Sequence, residues 1–341
     1  MRIQLKTTFE ELVSLDSLLS AWQEFIKGKR SKQDVQLFGL HLMDNLAELH
    51  LDLAQQTYKH GSYYAFSIAD PKPRSIHKAS VRDRIVHHAI YQHLYPFFDR
   101  TFISDSFSCR VDKGTHKANI QFRNFANQVS RNRTHTCWVL KCDITKFFAS
   151  IDQDILLYLL SLYIPDQKIL LLLQEVITSF STKPHIGLPL GNLTSQLLVN
   201  IYMNQFDQYV KHTLKAKHYI RYADDFVFLS HDRQLLEQYI EHIQSFLGSC
   251  LHLSLHPHKV SIQTFAAGVD FLGWVHFPTH KVLRTTTKKR MYRRIRSNPE
   301  PATLASYLGL MSHGDTQRLR VDVLSTYWLL ANHDAEKSEH R

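Results

Sequence analysis

The spacing of apolar residues predicts helices in the first 60 residues. In the stretch SLDSLLSAWQEFI, apolar side chains recur every three or four positions from Leu15 to Ile26, which is the spacing of a helix with one buried face. The same spacing continues through residues 31–58, where Ser31 is a residue type that caps helix N-termini. We therefore expect an N-terminal helical extension over residues 1–60, made of two helices joined by the basic turn KGKRSK.

From residue 61 the pattern mixes strands with helices. The stretch YAFSI at 64–68 alternates as a strand does, and a helix is predicted from about Val81. Two further apolar runs are short enough to be buried strands, WVLKCD at 138–143 and YIRYADDFVFLS at 219–230. This mixture of elements predicts an α+β fold.

A helix predicted near residues 190–210 carries a polar stripe beside its apolar stripe. The polar positions recur every four residues at Gln196, Asn200, Asn204 and Gln208. Such a stripe is commonly the solvent-facing side of a helix. We expect that position for Asn204 and Gln208.

The adjacent residues Asp224 and Asp225 interrupt an otherwise apolar hairpin. Strands are depleted in Asp, and neighbouring carboxylates repel each other unless a cation lies near. Asp143 ends another predicted strand, and pairing of the two strands would bring it next to Asp224. Carboxylate oxygens suit Mg²⁺, which keeps waters and substrate phosphates in its coordination shell. The pattern indicates a two-magnesium site for phosphoryl transfer; a tight turn, which Asp also favours, is the alternative.

The composition points to a polyanionic partner. Lys and Arg number 41 against 31 acidic residues, giving a formal charge of +10 and a pI near 9.3. Such a charge favours nucleic acid or an anionic membrane surface as the partner, and a merely basic soluble protein is the alternative.

The cysteines and the N-terminal residues indicate in which cellular compartment the protein is found. The four cysteines lack CxxC spacing, and the 22 histidines lack the spacing of a zinc site. The first residues carry acids where a signal peptide needs an apolar region, and no apolar run of about 18 residues occurs. We expect a cytoplasmic protein without membrane association.

Several blocks of residues resemble, in order, the motifs of reverse transcriptases. The stretch YADD at 222–225 resembles their YxDD signature, and Asp143 followed by Phe148 resembles their first catalytic motif. Further similar blocks are PKPRSIHKASVRDRIVHHAI, SFSCRVDKGTHKA, HPHKV at 256–260 and FLGW at 271–274. The resemblance covers nearly the whole chain. It implies a right-hand polymerase with fingers, a palm with an antiparallel sheet, and a short helical thumb.

The resemblance implies catalytic roles by position. The residues that would contact two Mg²⁺ ions are Asp143, Ile144, Asp224 and Asp225. The primer 3′-hydroxyl would attack the α-phosphate of a dNTP between these ions. Lys259 would protonate the leaving pyrophosphate, and a surface lysine without a role is the alternative.

A dNTP pocket is also implied. The residues that would line it are Lys72, Arg74, Phe148, Leu190, Gly191 and Gln196. Lys72 and Arg74 would hold the triphosphate. Phe148 would collide with a 2′-hydroxyl and so exclude ribonucleotides, and core packing is the alternative for this ring.

Primer and template contacts complete the implied site. The block FLGW would form the primer grip, comprising Phe271, Leu272, Gly273 and Trp274. The residues that would bind the RNA–DNA hybrid are Arg110, Lys288, Lys289, Arg290, Arg293 and Arg294. Six of the nine residues at 288–296 are basic, so a helix there would follow phosphates and lose affinity as salt rises. The expected domains are an N-terminal extension over 1–60, fingers and palm over 61–283, and a basic thumb over 284–341.

One variant motif indicates which group of reverse transcriptases the chain resembles. Most bacterial reverse transcriptases carry QGxxxSP where this chain has LGxxxSQ, with Leu190 in place of Gln and Gln196 in place of Pro. The variant resembles the reverse transcriptases of diversity-generating retroelements, which copy a template RNA with errors at adenines and so diversify a target gene. The implied partners are template RNA, a primer strand, dNTPs and a small basic oligomeric accessory protein.

Two alternatives stay open. The same chemistry serves retron, CRISPR-linked and phage-defence reverse transcriptases, although the NAxxH and VTG motifs usual in retrons do not occur here. The chain could also be a non-catalytic RNA-binding module on a polymerase scaffold. The presence of all three aspartates and of the aromatic residue Phe148 argues against that module.

Overall fold

The computed structural model of the chain describes residues 3–69 and 73–339. The helices in this part are α1 (Phe9–Val13), α2 (Leu15–Phe25), α3 (Gln33–Leu40), α4 (Leu42–Ala54), α5 (Val81–Phe98), α6 (Thr115–Val129), α7 (Gln153–Ser161), α8 (Gln167–Thr178), α9 (Leu193–Gln208), α10 (Arg233–Leu251), α11 (Thr285–Ser297), α12 (Pro301–Met311) and α13 (Gln317–Glu339). The strands are β1 (Tyr64–Ile68), β2 (Arg74–Lys78), β3 (Trp138–Asp143), β4 (Tyr219–Tyr222), β5 (Asp225–Ser230), β6 (Ser261–Thr264), β7 (Val269–Phe271), β8 (Trp274–His276) and β9 (Lys281–Leu283). The predicted α+β class is confirmed.

The N-terminal region is helical as predicted, with two corrections. The expected second helix is two helices, because the backbone of His41 leaves the helical region between α3 and α4. The carbonyl of Phe38, near this break, accepts a hydrogen bond from the side-chain amide of Asn45 at 2.9 Å. The expectation that Ser31 caps the helix was wrong, since Lys32 occupies that position and makes no side-chain cap.

The helix predicted from Val81 is α5, and it is central to the core. The hydroxyl of Ser80 caps its first turn by accepting from the backbone N–H of Asp83 at 3.1 Å. Ile85, Ala89 and Leu94 are at most 1% exposed. Ile85 and Leu94 lie on opposite sides of the helix, so α5 is buried on more than one side.

The strands lie in three small sheets. The first is the antiparallel hairpin β1–β2, in which Phe66 is opposite Ile76 and Ile68 is opposite Arg74. The second has the strand order β4–β5–β3–β6, which makes β3 the direct neighbour of β5. The third is the antiparallel sheet β7–β8–β9. The second sheet positions the candidate catalytic residues.

The chain divides into two compact units. The first contains residues 1–114, 141–227 and 238–260, and the second contains residues 115–140, 228–237 and 261–341. A buried cluster in the second unit joins the β7–β9 sheet to the last three helices, and its members are Trp274, Leu283, Met291, Ile295, Met311 and Val323. The division into extension, fingers with palm, and thumb stays a prediction. Within the residues described, no helix has the length and apolarity needed to cross a membrane.

Candidate active site

The candidate catalytic turn, which carries Asp224, joins β4 to β5. Its central residues are Ala223 and Asp224, and Ala223 has a left-handed φ of 56°. The backbone N–H of Ile144, which follows β3, donates to the carbonyl of Asp224 at 3.3 Å. This bond joins the turn to the end of the strand that carries Asp143. The strand ends are therefore adjacent.

Burial and charge both act on the carboxyl group of Asp224. Burial raises its pKa above the ordinary range, and the charge of Asp143 raises it further. The charges of Lys259 and Arg74 lower it again, but not enough to cancel the rise. Two carboxylates and two cations therefore interact here, and one more cation would relieve the remaining cost of ionising Asp224.

Lys259 is bonded to a catalytic candidate and is not an isolated surface lysine. Its Nζ donates to Oδ1 of Asp143 at 2.8 Å. The segment before Lys259 is fixed along β3, because the N–H of His256 donates to the carbonyl of Asp143 at 2.8 Å and Leu255 pairs with Ile144. The position suits both a counter-ion for Asp143 and a proton donor in the same site.

Asp225 lies near a cation on β3. Its Oδ2 is 3.8 Å from Nζ of Lys141 on β3. Among residues 3–69 and 73–339, no group of three or more His, Cys, Asp or Glu side chains is arranged to hold a metal. Magnesium, however, is commonly held by one or two carboxylates together with waters and substrate phosphates. The hard oxygen donors of Asp143 and Asp224 fit that chemistry.

Two adjacent phenylalanines follow β3 in different surroundings. Lys146, with a left-handed φ of 45°, precedes a short 3₁₀ helix at Phe147–Ser150. Phe147 is 3% exposed and belongs to the core, whereas Phe148 is only partly buried. The carbonyl of Phe148 accepts from the N–H of Leu188 at 2.8 Å, which fixes the backbone below the ring. The Phe148 ring is therefore partly exposed to solvent, whereas the Phe147 ring is not.

The predicted dNTP loop packs on strand β2. The carbonyl of Leu190 accepts from the N–H of His77 at 3.0 Å. Gly191 has a φ of 110°, and a Cβ atom on it would lie 2.7 Å from Cγ2 of Ile76. This position therefore requires glycine both for its backbone and for the close approach of β2. Arg74 is exposed on β2, and Lys72 lies outside the described residues.

A cavity of about 370 Å³ borders this loop. Gly191, Gln196 and Phe66 contribute to its walls, together with three basic side chains, Lys29, Lys78 and Arg84. Asp34 bonds two of these cations, Lys78 at 2.7 Å and Arg84 at 2.6 Å. Aromatic and basic walls with an excess of positive charge suit a nucleotide.

Arg110 has partners within the fold. Its Nε donates to Oδ1 of Asp99 at 2.6 Å, and its Nη1 donates to the carbonyls of Ile103 and Ser106 at 2.7 and 3.0 Å. The side chain is 7% exposed. The geometry gives Arg110 a role in holding this loop and lends no support to the predicted contact with nucleic acid.

The predicted primer grip is a tight hairpin turn in the second compact unit. Phe271 and Trp274 are paired across β7 and β8, and both are buried. Leu272 and Gly273 form the turn, with φ of 46° and 90°. Only these two turn residues are partly exposed, so a primer could meet the turn and not the flanking aromatic rings.

The predicted basic helix is α11. Met291 and Ile295 face the core of the second unit, and the basic residues occupy the other faces. Lys289, Arg293 and Arg294 are exposed, while Lys288 and Arg290 are partly buried. One side of the helix therefore packs, and the other presents positive charge.

The polar stripe of α9 does not face solvent, so that expectation was wrong. Asn200 is 1% exposed and Asn204 is 4% exposed. Asn200 donates to the carbonyl of Ser108 at 2.8 Å, and Gln208 donates to the carbonyl of Thr101 at 3.2 Å. The stripe is a buried hydrogen-bonding surface behind the active site. Sequence reasoning also missed Arg221, although a lone Arg inside the apolar run YIRYADDFVFLS was a signal of a buried charge.

Two carboxylates at adjoining strand ends, close to cations, form the arrangement that metal-dependent phosphoryl-transfer enzymes use. The family model for "Reverse transcriptase (RNA-dependent DNA polymerase)" matches residues 66–276, which is more than half of the chain. The chain therefore belongs to the reverse transcriptase family, whose members are RNA-directed DNA polymerases.

Curated proteins from several organisms are similar to this chain. "Protein YkfC" of Escherichia coli K12 is 25% identical, and the match covers 67% of this chain and 68% of that protein. The "Putative COX1/OXI3 intron 2 protein" of Saccharomyces cerevisiae is 21% identical over 79% of this chain and 38% of that protein. The "Group II intron-encoded protein LtrA" of Lactococcus lactis subsp. cremoris is 24% identical over 49% of this chain and 29% of that protein. The chain thus spans less than two fifths of the two intron proteins.

Proposed function

We propose that this chain copies a retroelement template RNA into cDNA, with errors at template adenines, for mutagenic retrohoming into a variable gene. Polymerisation is supported by the interacting carboxylates of Asp143 and Asp224 beside Lys259 and Arg74. The retroelement assignment is supported by the LGxxxSQ variant at 190–196. The protein would act in the cytoplasm of a bacterial or phage-infected cell.

The proposed parts follow the order of the motifs. Residues 1–60 are the N-terminal extension, 61–283 the fingers and palm, and 284–341 the thumb. Lys72 and Arg74 hold the triphosphate of the incoming dNTP, and Phe148 lies under its sugar. The turn Leu272–Gly273 and helix α11 contact the primer and the RNA–DNA hybrid.

Asp143 and Asp224 would hold two Mg²⁺ ions, with the backbone of Ile144 beside them and Asp225 in support. Bound magnesium supplies activation of the primer hydroxyl and neutralisation of the phosphate charge. The protein's own groups orient the reactants: Arg74 holds phosphates from β2, and Lys259 keeps a proton available at Nζ beside Asp143.

The cavity beside Gly191 is proposed to receive the template strand. Phe66 offers a face for base stacking, and Lys29, Lys78 and Arg84 offer charge for phosphates. Gln196, where the family usually has Pro, lies on its wall and could hydrogen-bond a template base. A small basic oligomeric accessory protein is the proposed protein partner, alongside template RNA and primer.

The test is sequencing of cDNA that the purified protein makes from a defined RNA with an annealed DNA primer, Mg²⁺ and dNTPs. Asp224→Asn should reduce extension by about 10³-fold, because several kcal/mol of transition-state stabilisation would be lost. Asp154→Asn is the matched control, since Asp154 is exposed and its carboxylate bonds only His185 in the residues described. Equal extension by wild type and Asp224→Asn would contradict a catalytic role for Asp224.

The error spectrum separates the proposed systems. Misincorporation concentrated opposite template adenines supports the diversity-generating retroelement. Faithful cDNA would assign the enzyme to a retron, CRISPR-linked or phage-defence system instead. Absence of extension even with cognate RNA and accessory protein would favour a non-catalytic RNA-binding module.

A further inference from the structure

A buried ion pair lies directly behind the catalytic turn. Arg221 on β4 and Asp207 near the end of α9 both have fully buried side chains. Nε of Arg221 donates to Oδ1 of Asp207 at 2.8 Å, and Nη2 donates to Oδ2 at 2.6 Å, so the pair is bidentate. The hydroxyl of Tyr219 donates to the same Oδ1 at 2.8 Å. The pair is held from two elements of the first compact unit.

The remaining N–H groups of Arg221 are also hydrogen-bonded. Nη1 donates to the side-chain oxygen of Asn200 and to the carbonyl of Ala223, both at 3.2 Å. Nη2 donates to the hydroxyl of Ser106 at 3.1 Å. A guanidinium has five N–H donors, and each has a partner here. The side chain therefore has one orientation, fixed by groups on α9, by Ser106 and by the turn itself.

One of these bonds reaches the active site. Ala223 directly precedes Asp224, and its φ of 56° is a conformation that costs energy in a residue with a side chain. Arg221 binds the carbonyl of Ala223, while the N–H of Ile144 binds the carbonyl of Asp224 at 3.3 Å. The turn is held at two successive carbonyls, and the first bond depends on Arg221.

A buried ion pair is a weak source of stability, because the loss of hydration offsets much of the attraction between the charges. The Arg221–Asp207 pair instead fixes the geometry of the turn. We propose that Arg221 and Asp207 are positioning residues that set the conformation of the catalytic turn and so hold the carboxylate of Asp224 beside Asp143. The inference rests on the proposed function, in which Asp224 contacts the catalytic metal.

The test replaces the pair with apolar residues of similar volume. The double variant Asp207→Leu/Arg221→Met removes both charges together and leaves no unpaired charge in the core, so it should fold. Arg221→Lys keeps the positive charge but lacks the planar fork that reaches Asp207 and Ala223 together. The control, Asp52→Leu/Arg82→Met, removes a partly exposed Arg–Asp pair of the same compact unit that does not contact the turn.

Three measurements distinguish positioning from a purely structural role. They are thermal melting, binding of Mn²⁺ followed by electron paramagnetic resonance, and kcat for primer extension on RNA. We expect both test variants to melt close to the control, to bind Mn²⁺ about tenfold more weakly, and to lose about 10²-fold in kcat. The Kd for primer–template should not change, because both side chains are fully buried and offer no surface for nucleic acid to contact.

Folded variants with wild-type Mn²⁺ affinity and wild-type kcat would overturn the proposal. If the double variant unfolds and Arg221→Lys folds, the Mn²⁺ affinity and kcat of Arg221→Lys alone decide the proposal. Unfolding of both variants would also overturn the proposal, because the pair would then be needed for the fold itself. Lack of extension by the wild type would count against the proposed polymerase function, and the Mn²⁺ comparison would still decide the role of the pair.

Discussion

At the scale of single residues, Phe147 and Phe148 illustrate how neighbours in sequence acquire different tasks. The 3₁₀ turn after Lys146 directs Phe147 into the core, where it is 3% exposed, and leaves Phe148 partly open. Contact of the Phe148 ring with the sugar of a nucleotide stays a prediction, with core packing as the alternative.

We predict that Phe148→Ala relaxes discrimination against ribonucleotides by about 10²-fold, because the ring can no longer collide with a 2′-hydroxyl. The measurement is the ratio of kcat/KM for dGTP and GTP in single-nucleotide extension. Phe147→Leu is the control, and it should lower the melting temperature without changing this ratio. An unchanged ratio in Phe148→Ala would assign the ring to packing.

Single residues also mark the limit of sequence reasoning. The proximity of Asp143 and Asp224 could be predicted, because charged residues are costly in strands and adjacent acids require a reason. The metal-binding role of Asp143, Asp224 and Asp225 stays a prediction. The burial of Asn200 and the role of Arg221 could not be predicted, because their partners come from distant parts of the chain, such as Ser106. A polar stripe has the same sequence pattern whether it faces water or a polar interior.

At the scale of elements, α11 has a buried apolar side and an exposed basic side. Met291 and Ile295 anchor it in the core of the second unit. Lys289 and Arg293, one turn apart on the outer side, border a surface groove. Packing thus fixes the helix so that its charges form a row along one face, as a contact to a phosphate backbone requires.

We predict that Lys289→Gln/Arg293→Gln lowers the slope of log Kd against log salt by about two, since each lost phosphate contact removes about one unit. Fluorescence anisotropy with an RNA–DNA duplex between 50 and 200 mM salt gives the slope. The control Lys215→Gln/Lys217→Gln removes the same charge from exposed positions in the first unit. If both double variants change the slope equally, net charge and not α11 accounts for binding.

The spacing of apolar residues predicts some boundaries of helices and strands but not others. The strands β1 and β3 and the helix α5 follow their patterns, because one face of each is apolar or bounded by clear turn residues. The break at His41 was not predictable, because apolar spacing continues through it and the break depends on packing. The turn at Leu272–Gly273 carries only one glycine, so its second left-handed residue gave no signal.

At the scale of the whole molecule, stability depends on pH through histidines that are buried as neutral rings. In the first unit, His87 lies 3.1 Å from His60 between their Nε2 atoms. In the second unit, Nε2 of His276 lies 2.9 Å from the side-chain oxygen of Asn119. Burial lowers the pKa of each ring to about 3, compared with an ordinary value of 6.5. Both compact units therefore resist protonation at the same kind of site.

We predict that the free energy of unfolding falls as the pH drops from 6.5 toward 5. The unfolded chain binds protons there that the folded chain excludes, so this stability is complete above pH 6.5 and decreases toward pH 3. At pH 5 the loss is about 2 kcal/mol for each of His87 and His276. Urea unfolding at pH 7.5 and at pH 5, above the range of ordinary carboxylates, measures it. His276→Gln can still bond Asn119, and its free energy of unfolding should fall by about 2 kcal/mol less than that of the wild type between pH 7.5 and pH 5. The control His231→Gln, at an exposed position, should fall by as much as the wild type. Equal losses in wild type and His276→Gln would contradict the prediction.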